Sequence, residues 1–388
     1  MPEPAFSTVA ARSVGRACMT VLLMIFALCS SAWAADGKTL LIDRAVSVQS
    51  IIEPGSVKQV TLPVTLPDDW AVTRPRFEGS VWYRTGFDRP VGVDSNELMA
   101  LYIERVCSNA EVYVNGHRVY VGGRMGEPVT RNCHYPQLIT LPATLLQERG
   151  NTLDIQVQGH ALQRVAARQR AGGLSAIMVG AHAVLASEYD QRRFWNITAT
   201  QLANVAIAVL GCVMIGLGWM NRREAYLGYF GWLCLVWGLL SARVWWRDMP
   251  WDTGVMEFLF CTGFAPLVAL AVQFLLSYAG VRSRWIENAL AAQWVLLPAT
   301  LLLAGPGRLF LMASIWYVIL VAEVLAAAVL HLAVTWRSKR QNVWPMALLL
   351  GAIMALLGMQ LVAEHGLVPD LGVPLLQVAV PLLFVGLA

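Results

Sequence analysis

Three ionisable side chains lie inside apolar stretches where water is scarce: Glu257, Glu323 and His331. Such residues are costly in a bilayer, so they mark proton paths, ion paths or contacts that change during signalling. Glu323 lies midway along its stretch, Glu257 near the outer start of another, and His331 near an inner end. Glu364 and His365 stand at an outer boundary. Acids this scattered make a poor relay. The two readings left are intramembrane coupling and a neutral Glu hydrogen-bonded inside a bundle.

Other chemistry is sparse. The acids of the N-terminal part (Glu78, Asp88, Asp94, Glu104, Glu111, Glu127 and Asp154) form no pair that spacing makes catalytic, although glycoside hydrolysis would need two carboxylates brought together in space. The sequence carries no Gly-rich phosphate loop, GxSxG elbow, zinc-spaced Cys/His cluster or kinase motif. No catalytic residue, metal or cofactor is therefore expected within residues 1–388. A retinal Schiff base needs a bundle lysine, but the lysines are Lys38, Lys58 and Lys339, the last in an inter-helix loop. Of the seven cysteines, only Cys107 and Cys133 fall on the oxidising side of a membrane, where a disulfide is allowed. Two buried free thiols are the alternative.

The elements that must position these residues follow from composition. Hydrophobic residues make up 57% of 388 positions and charged ones 14%. A soluble domain carries about a quarter charged residues, so much of this chain belongs in lipid. The formal charge of +4 comes mostly from dispersed Arg, which argues against a nucleic-acid tail. Residues 1–34 read as a signal peptide: Arg12 and Arg16, the apolar MTVLLMIFAL, then Ala32 and Ala34 at an A-x-A cleavage site.

Residues 35–190 read as an all-β domain. Eight short alternating segments, from TLLIDRAVSV to SAIMVGAHAVL, recur between turn signals, and no helical period of useful length appears. Asn115-Gly116 is a two-residue hairpin turn. Residues 191–388 hold seven apolar stretches, near 197–219, 225–245, 255–279, 286–304, 309–334, 343–363 and 373–388. Six have the ~20 residues that a ~30 Å hydrocarbon core requires. The seventh reaches only about 24 Å at 1.5 Å per residue, so the chain is expected to continue into the cytoplasm beyond Ala388. Arg222, Arg223, Arg282, Arg284, Arg337, Lys339 and Arg340 on one side outnumber Arg243, Arg247 and Arg308 on the other. That puts the C-terminus inside and the β domain outside. A transporter is disfavoured, because no internal repeat or matched pair of broken helices is evident.

WYRTGFDRP (82–90), VYVNGHRVYVGG (112–123) and GNTLDIQVQG (150–159) resemble the galactose-binding-like jelly roll attached to many glycoside hydrolases. That jelly roll followed by seven helices resembles the bacterial seven-transmembrane receptors with diverse intracellular signalling modules. GGRMGEPVTRN (122–132), GGLSAIMVG (172–180) and YDQRRFW (189–195) look like members that end in a histidine kinase. The resemblance implies a jelly-roll sandwich followed by a seven-helix transmembrane bundle in the inner membrane, with the β domain periplasmic. It also implies an extracytoplasmic ligand, carbohydrate being one candidate, lipid around the helices, and homodimerisation. A kinase past residue 388 would use ATP and Mg and a cognate response regulator. A diguanylate cyclase output and a membrane-anchored carbohydrate-binding protein are the alternatives.

The resemblance places Trp82, Tyr83, Arg84 and Asn115 in the shaping of the sandwich. Trp82 and Tyr83 are read as packing or as a sugar platform. Arg124, Glu127, Arg131 and Asn132 sit in a polar loop that binds a ligand, docks on the bundle or pairs internally. Arg192, Arg193, Phe194 and Trp195 join the two parts, where coupling is expected.

Overall fold

In GSVWYRTGF (79–87) the strand period of two decides which side chains meet. Val81, Tyr83 and Phe87 turn into a core, while Trp82 and Arg84 take the opposite face. The computed structural model describes residues 38–53, 56–94, 96–337, 343–367 and 374–387. The expected signal segment and the Lys339–Arg340 pair fall outside the described residues.

The β region runs from Thr39 to Ala181. Its strands are β1 (Thr39–Ile42), β2 (Arg44–Glu53), β3 (Ser56–Thr65), β4 (Asp68–Asp69), β5 (Gly79–Phe87), β6 (Met99–Ile103) and β7 (Val106–Cys107). There follow β8 (Asn109–Val114), β9 (His117–Val121), β10 (Gln137–Leu141), β11 (Asn151–Gly159), β12 (Gly173–Leu174) and β13 (Ile177–Ala181). One sheet has the order β3-β2-β5-β11-β8-β9, a second β1-β13-β6-β10, and short pieces pair as β4-β12-β7. Every pairing is antiparallel. In the larger sheet Ile155 faces Tyr83 on one side and Val112 on the other. These join Leu101, Ile103, Ile139 and Val179 of the second sheet in one core. The β8–β9 hairpin turns at Asn115 and Gly116, with φ of 49° and 80°. Asn and Gly tolerate that left-handed geometry.

The β region holds a one-turn helix at Trp70–Thr73, and the expectation of no helix of useful length before residue 190 fails at the end of that range. β13 stops at Ala181, and α1 (His182–Arg193) begins at once. Sequence periodicity read HAVL as more strand. In the fold, Leu185 packs on Ala100, Tyr102 and Met178, the second face of the smaller sheet. This explains why β6 and β13 are buried at every position, where a one-sided sheet would alternate.

After α1, a π-helical turn (Phe194–Thr198) leads without a break into α2 (Ala199–Met220). Then come α3 (Ala225–Ser241), α4 (Thr253–Ala279), α5 (Arg284–Ala304), α6 (Leu309–Arg337), α7 (Val343–Glu364) and α8 (Leu375–Leu387). Among the described residues six helices are long and apolar enough to cross a membrane, the first being the continuous His182–Met220. This is the architecture of a multi-pass membrane protein carrying a β domain. A further apolar helix, α8, has 13 residues, short of the ~20 that a full crossing takes.

Apolar surface covers both sides of the helices, as lipid demands: Leu202, Val209, Trp232 and Leu303 point outward, while Ile207, Cys234, Ala265 and Leu297 are buried. Helix contacts in lipid favour small residues, and α2 meets α3 at Gly211 and Gly231. A Cβ on Gly231 would stand 2.6 Å from the Gly211 carbonyl oxygen and 2.7 Å from Ile215 Cγ1. Gly231→Val is therefore expected to cost about 1–3 kcal/mol by overpacking, read as a lower thermal midpoint in lipid nanodiscs. An unchanged midpoint would mean that the two helices do not approach this closely.

Candidate functional site

Glu257, in the second turn of α4, is 4% exposed, yet nothing else on its helix pairs with it. Its partners come from the β domain. Arg131 donates to Oε1 at 2.8 Å and Arg170 donates to the same oxygen at 3.2 Å. The Ala166 amide donates to Oε2 at 3.1 Å. Both carboxylate oxygens are satisfied, which is the condition on which a buried charge persists.

Two loops supply these groups. The first, between β9 and β10, is held in shape by Asn132. Its side-chain amide donates to Asn109 Oδ1 at 2.6 Å and to the Gly122 carbonyl at 2.9 Å. A disulfide ties Cys133 to Cys107 at the end of β7. The second loop, between β11 and β12, runs through Ala166, Arg168 and Arg170. Arg168 donates twice to Asp69 within the β domain, at 3.0 and 2.8 Å. Its own amide donates at 2.9 Å to Glu364, the last residue of α7.

Glu127 uses a different principle. The Asp252 side chain makes no cap at the start of α4, so that helix end would leave amides unpaired. Glu127 accepts the Thr253 amide at 2.9 Å instead. A carboxylate from the β domain thus caps a helix of the bundle, where the helix dipole favours negative charge. Around these contacts lie further cross-links. Thr130 donates to Asp248 at 2.7 Å, Tyr135 to the Trp245 carbonyl at 2.6 Å, and Arg247 to the Gly122 carbonyl at 2.8 Å. Asn196, in the π-helical turn, donates to the His134 carbonyl at 3.0 Å.

Electrostatics follow burial. Desolvation lowers the pKa of Arg131 to about 9, with Arg170 adding repulsion and Glu257 opposing both. It is still cationic at neutral pH, and its guanidinium also lies over the Phe260 ring at 5.4 Å.

His160 is buried 3.7 Å from Glu127. Burial lowers its pKa, and the attraction of Glu127 does not offset this. The unfolded chain, with His near ~6.5, therefore takes a proton before the folded chain does. The stability that neutral His160 contributes is complete above pH ~6.5 and falls as pH drops towards the folded value. The thermal midpoint should decline more steeply between roughly pH 7.5 and 5.5 than in His160→Gln. Parallel pH curves for the two proteins would remove His160 from the junction's titration.

The structure sorts the residues expected from sequence. Arg124, Glu127 and Arg131 all reach the bundle, Arg124 through the Met249 carbonyl at 3.3 Å. Asn132 instead supports their loop. Tyr83 is 1% exposed and points away from Trp82; its hydroxyl accepts from the Trp70 indole at 2.7 Å and donates to Asp68. Burial raises its pKa well above that of an ordinary tyrosine. Trp82 lies on the outer face against Tyr113, with centroids 5.4 Å apart, and Arg84 pairs with Asp154 at 2.6 Å. Asn115 pins the hairpin to Asn151 and the Leu145 carbonyl.

The connector is a continuous helix. Arg192 pairs with Glu104, Arg193 lies over Tyr189, and Phe194 meets Trp195 edge-on at 5.3 Å. Glu323 and His331 stand apart from the junction. Glu323 accepts from Gln293, and His331 contacts the Leu275 carbonyl at 2.9 Å. Sequence reasoning missed Arg170 and Ala166. The signal available was RVAARQRAGG (164–173), a basic segment between two strands, which names no partner. Among the described residues no group of His, Cys, Asp and Glu is arranged to hold a metal.

No protein-family model matches the sequence, and no curated protein does. Solved structures similar to it include the GH2 beta-galacturonidase from Eisenbergiella tayi bound to galacturonate, at 14% identity and a TM-score of 0.28 over 37% of this chain. Others are the Faecalibacterium prausnitzii beta-glucuronidase (14%, TM-score 0.27, 39% of this chain) and the beta-D-mannosidase from Dictyoglomus thermophilum (11%, 0.25, 37%). The match spans 24%, 33% and 22% of those chains, respectively.

Proposed function

We propose that this chain is the sensing and membrane-spanning portion of a receptor, in which an event on the β domain is read by the helices. The observation that carries the reading is the Glu257 junction. A domain merely tethered beside a membrane needs no buried carboxylate shared between two of its arginines and a membrane helix. A docked domain that must hold one arrangement, and be released into another, does. A ligand shifts such an equilibrium only by binding one arrangement better.

The finer features of the resemblance belong to this proposal. They are a jelly-roll topology, seven helices in the bacterial inner membrane, a periplasmic β domain and a cytoplasmic C-terminus. The two antiparallel sheets around one core and the apolar α8 support that form. The ligand class proposed is carbohydrate, with the Trp82–Tyr113 surface as one place for it to stack. Homodimerisation and a histidine-kinase output, with ATP, Mg and a response regulator, complete the proposal. A diguanylate cyclase is the alternative output, and reading the gene past codon 388 distinguishes the two.

Coupling has its own test. In nanodiscs, sugars that bind the chain should change the labelling rate of a cysteine placed at Asn221, in a Cys212→Ser background. Replacing residues 192–195 with Gly-Ser-Gly-Ser should leave binding intact and abolish that change. A labelling change that survives the flexible connector would sink the coupling mechanism.

A further inference from the structure

A cavity of about 180 Å³ lies within the bundle, walled by α3, α4, α6, α7 and α8 through residues such as Leu233, Phe264, Leu320 and Val380. A polar chamber of about 70 Å³ adjoins it at the junction. Ala167, Arg243, Gln360 and Glu364 line both, so the two spaces meet. The larger space is apolar almost throughout. The smaller one is lined by Arg105, Arg131, Arg170 and Arg243 against Glu257 and Glu364.

Arg243 is the unexplained member. Arg131 and Arg170 share Glu257, but Arg243 has no hydrogen bond or ion pair among the described residues. Its guanidinium is half-buried over the Phe264 ring, at 5.2 Å. Glu257 attracts it through space without a hydrogen bond between them, so its N–H donors can take a further acceptor. The guanidinium stands where an apolar cavity opens into a chamber with excess positive charge.

We infer that this composite cavity binds a small amphiphile with one anionic head, such as a carboxylate, and a short apolar body. The head meets Arg243 in the polar chamber and the body fills the apolar space. Size sets the class: a dry apolar cavity of about 150 Å³ accepts a benzene ring, so this one takes a chain or ring of similar bulk. The wall includes Ala167 of the β domain as well as five helices, so an occupant contacts both bodies at once. Binding is independent of the receptor reading; only its consequence for signalling rests on that reading.

The test uses the chain in nanodiscs of neutral phosphatidylcholine, titrated calorimetrically with octanoate, octylammonium and octanol against empty discs at neutral pH. Octanoate is expected to bind saturably, one per chain, and at least tenfold more tightly than octylammonium. Arg243→Gln should weaken octanoate about tenfold, and Val321→Phe, which fills the cavity, should abolish its saturable binding. Octanoate and octylammonium partitioning alike, as into empty discs, would overturn the site without recourse to any variant. Octanoate binding unchanged in both variants would overturn it as well.

Discussion

Glu257→Gln is expected to lower the stability of the docked chain by about 3–5 kcal/mol, the cost of leaving a buried charge without its counter-ion. Two guanidiniums, Arg131 and Arg170, lose the same carboxylate at once. The loss should appear as a lower thermal midpoint and as new protease cleavage in the loops around residues 122–135 and 160–172. Replacing Arg131 with Met in the Glu257→Gln background should recover part of it, because one of the stranded charges is then gone. The rim pair of Arg124 and Asp248 is 3.9 Å apart and exposed on both sides. Removing it should change stability by about 0–1 kcal/mol. If Glu257→Gln matched the wild type while Asp248→Asn did not, buried charge would not be what holds the two bodies.

Cys107→Ser is expected to cost about 3.5 kcal/mol, from the loop that the disulfide closes in the unfolded chain. The bonded residues are 26 apart in sequence. Cys133 lies two residues beyond Arg131, so the bond anchors the loop that reaches Glu257. The expected phenotype is twofold: a lower midpoint for the whole chain, and greater protease access to residues 122–132. Reducing agent should reproduce both in the wild type and change nothing further in Cys107→Ser. A reductant-insensitive wild type would show that the loop is held by its hydrogen bonds alone.

Patterns that repeat locally were legible in the sequence. Alternation in GSVWYRTGF and NTLDIQVQG identified strands, Asn115-Gly116 identified a hairpin, and each long apolar run lies on one helix. The helix at His182 was not legible. Its run HAVLASEYDQRR is polar overall, and Leu185 is helical because a sheet face needs covering. The junction was half legible. Arg131 stood out as a charged loop residue and Glu257 as a charge in an apolar stretch, each a candidate for its own reason. Their pairing spans 126 residues, and spacing over that distance carries no information. Arg170 was hidden differently: an arginine between strands is ordinarily a solvated one, and only the docked helix makes it a counter-ion. Glu323, the sharpest intramembrane candidate by sequence, contacts Gln293 and lies away from the junction.

The most direct measurement of the central claim is amide hydrogen exchange on the chain in nanodiscs, wild type against Glu257→Gln. If the β domain is held to the bundle by this buried cluster, residues 122–135 and 160–172 will be protected in the wild type and exchange faster in the variant. The core strands around Leu153 and Ile155 should keep their protection in both. Equal exchange of the two loops in both proteins, with the sandwich intact, would contradict the account: the domain would then be a tethered neighbour of the membrane helices.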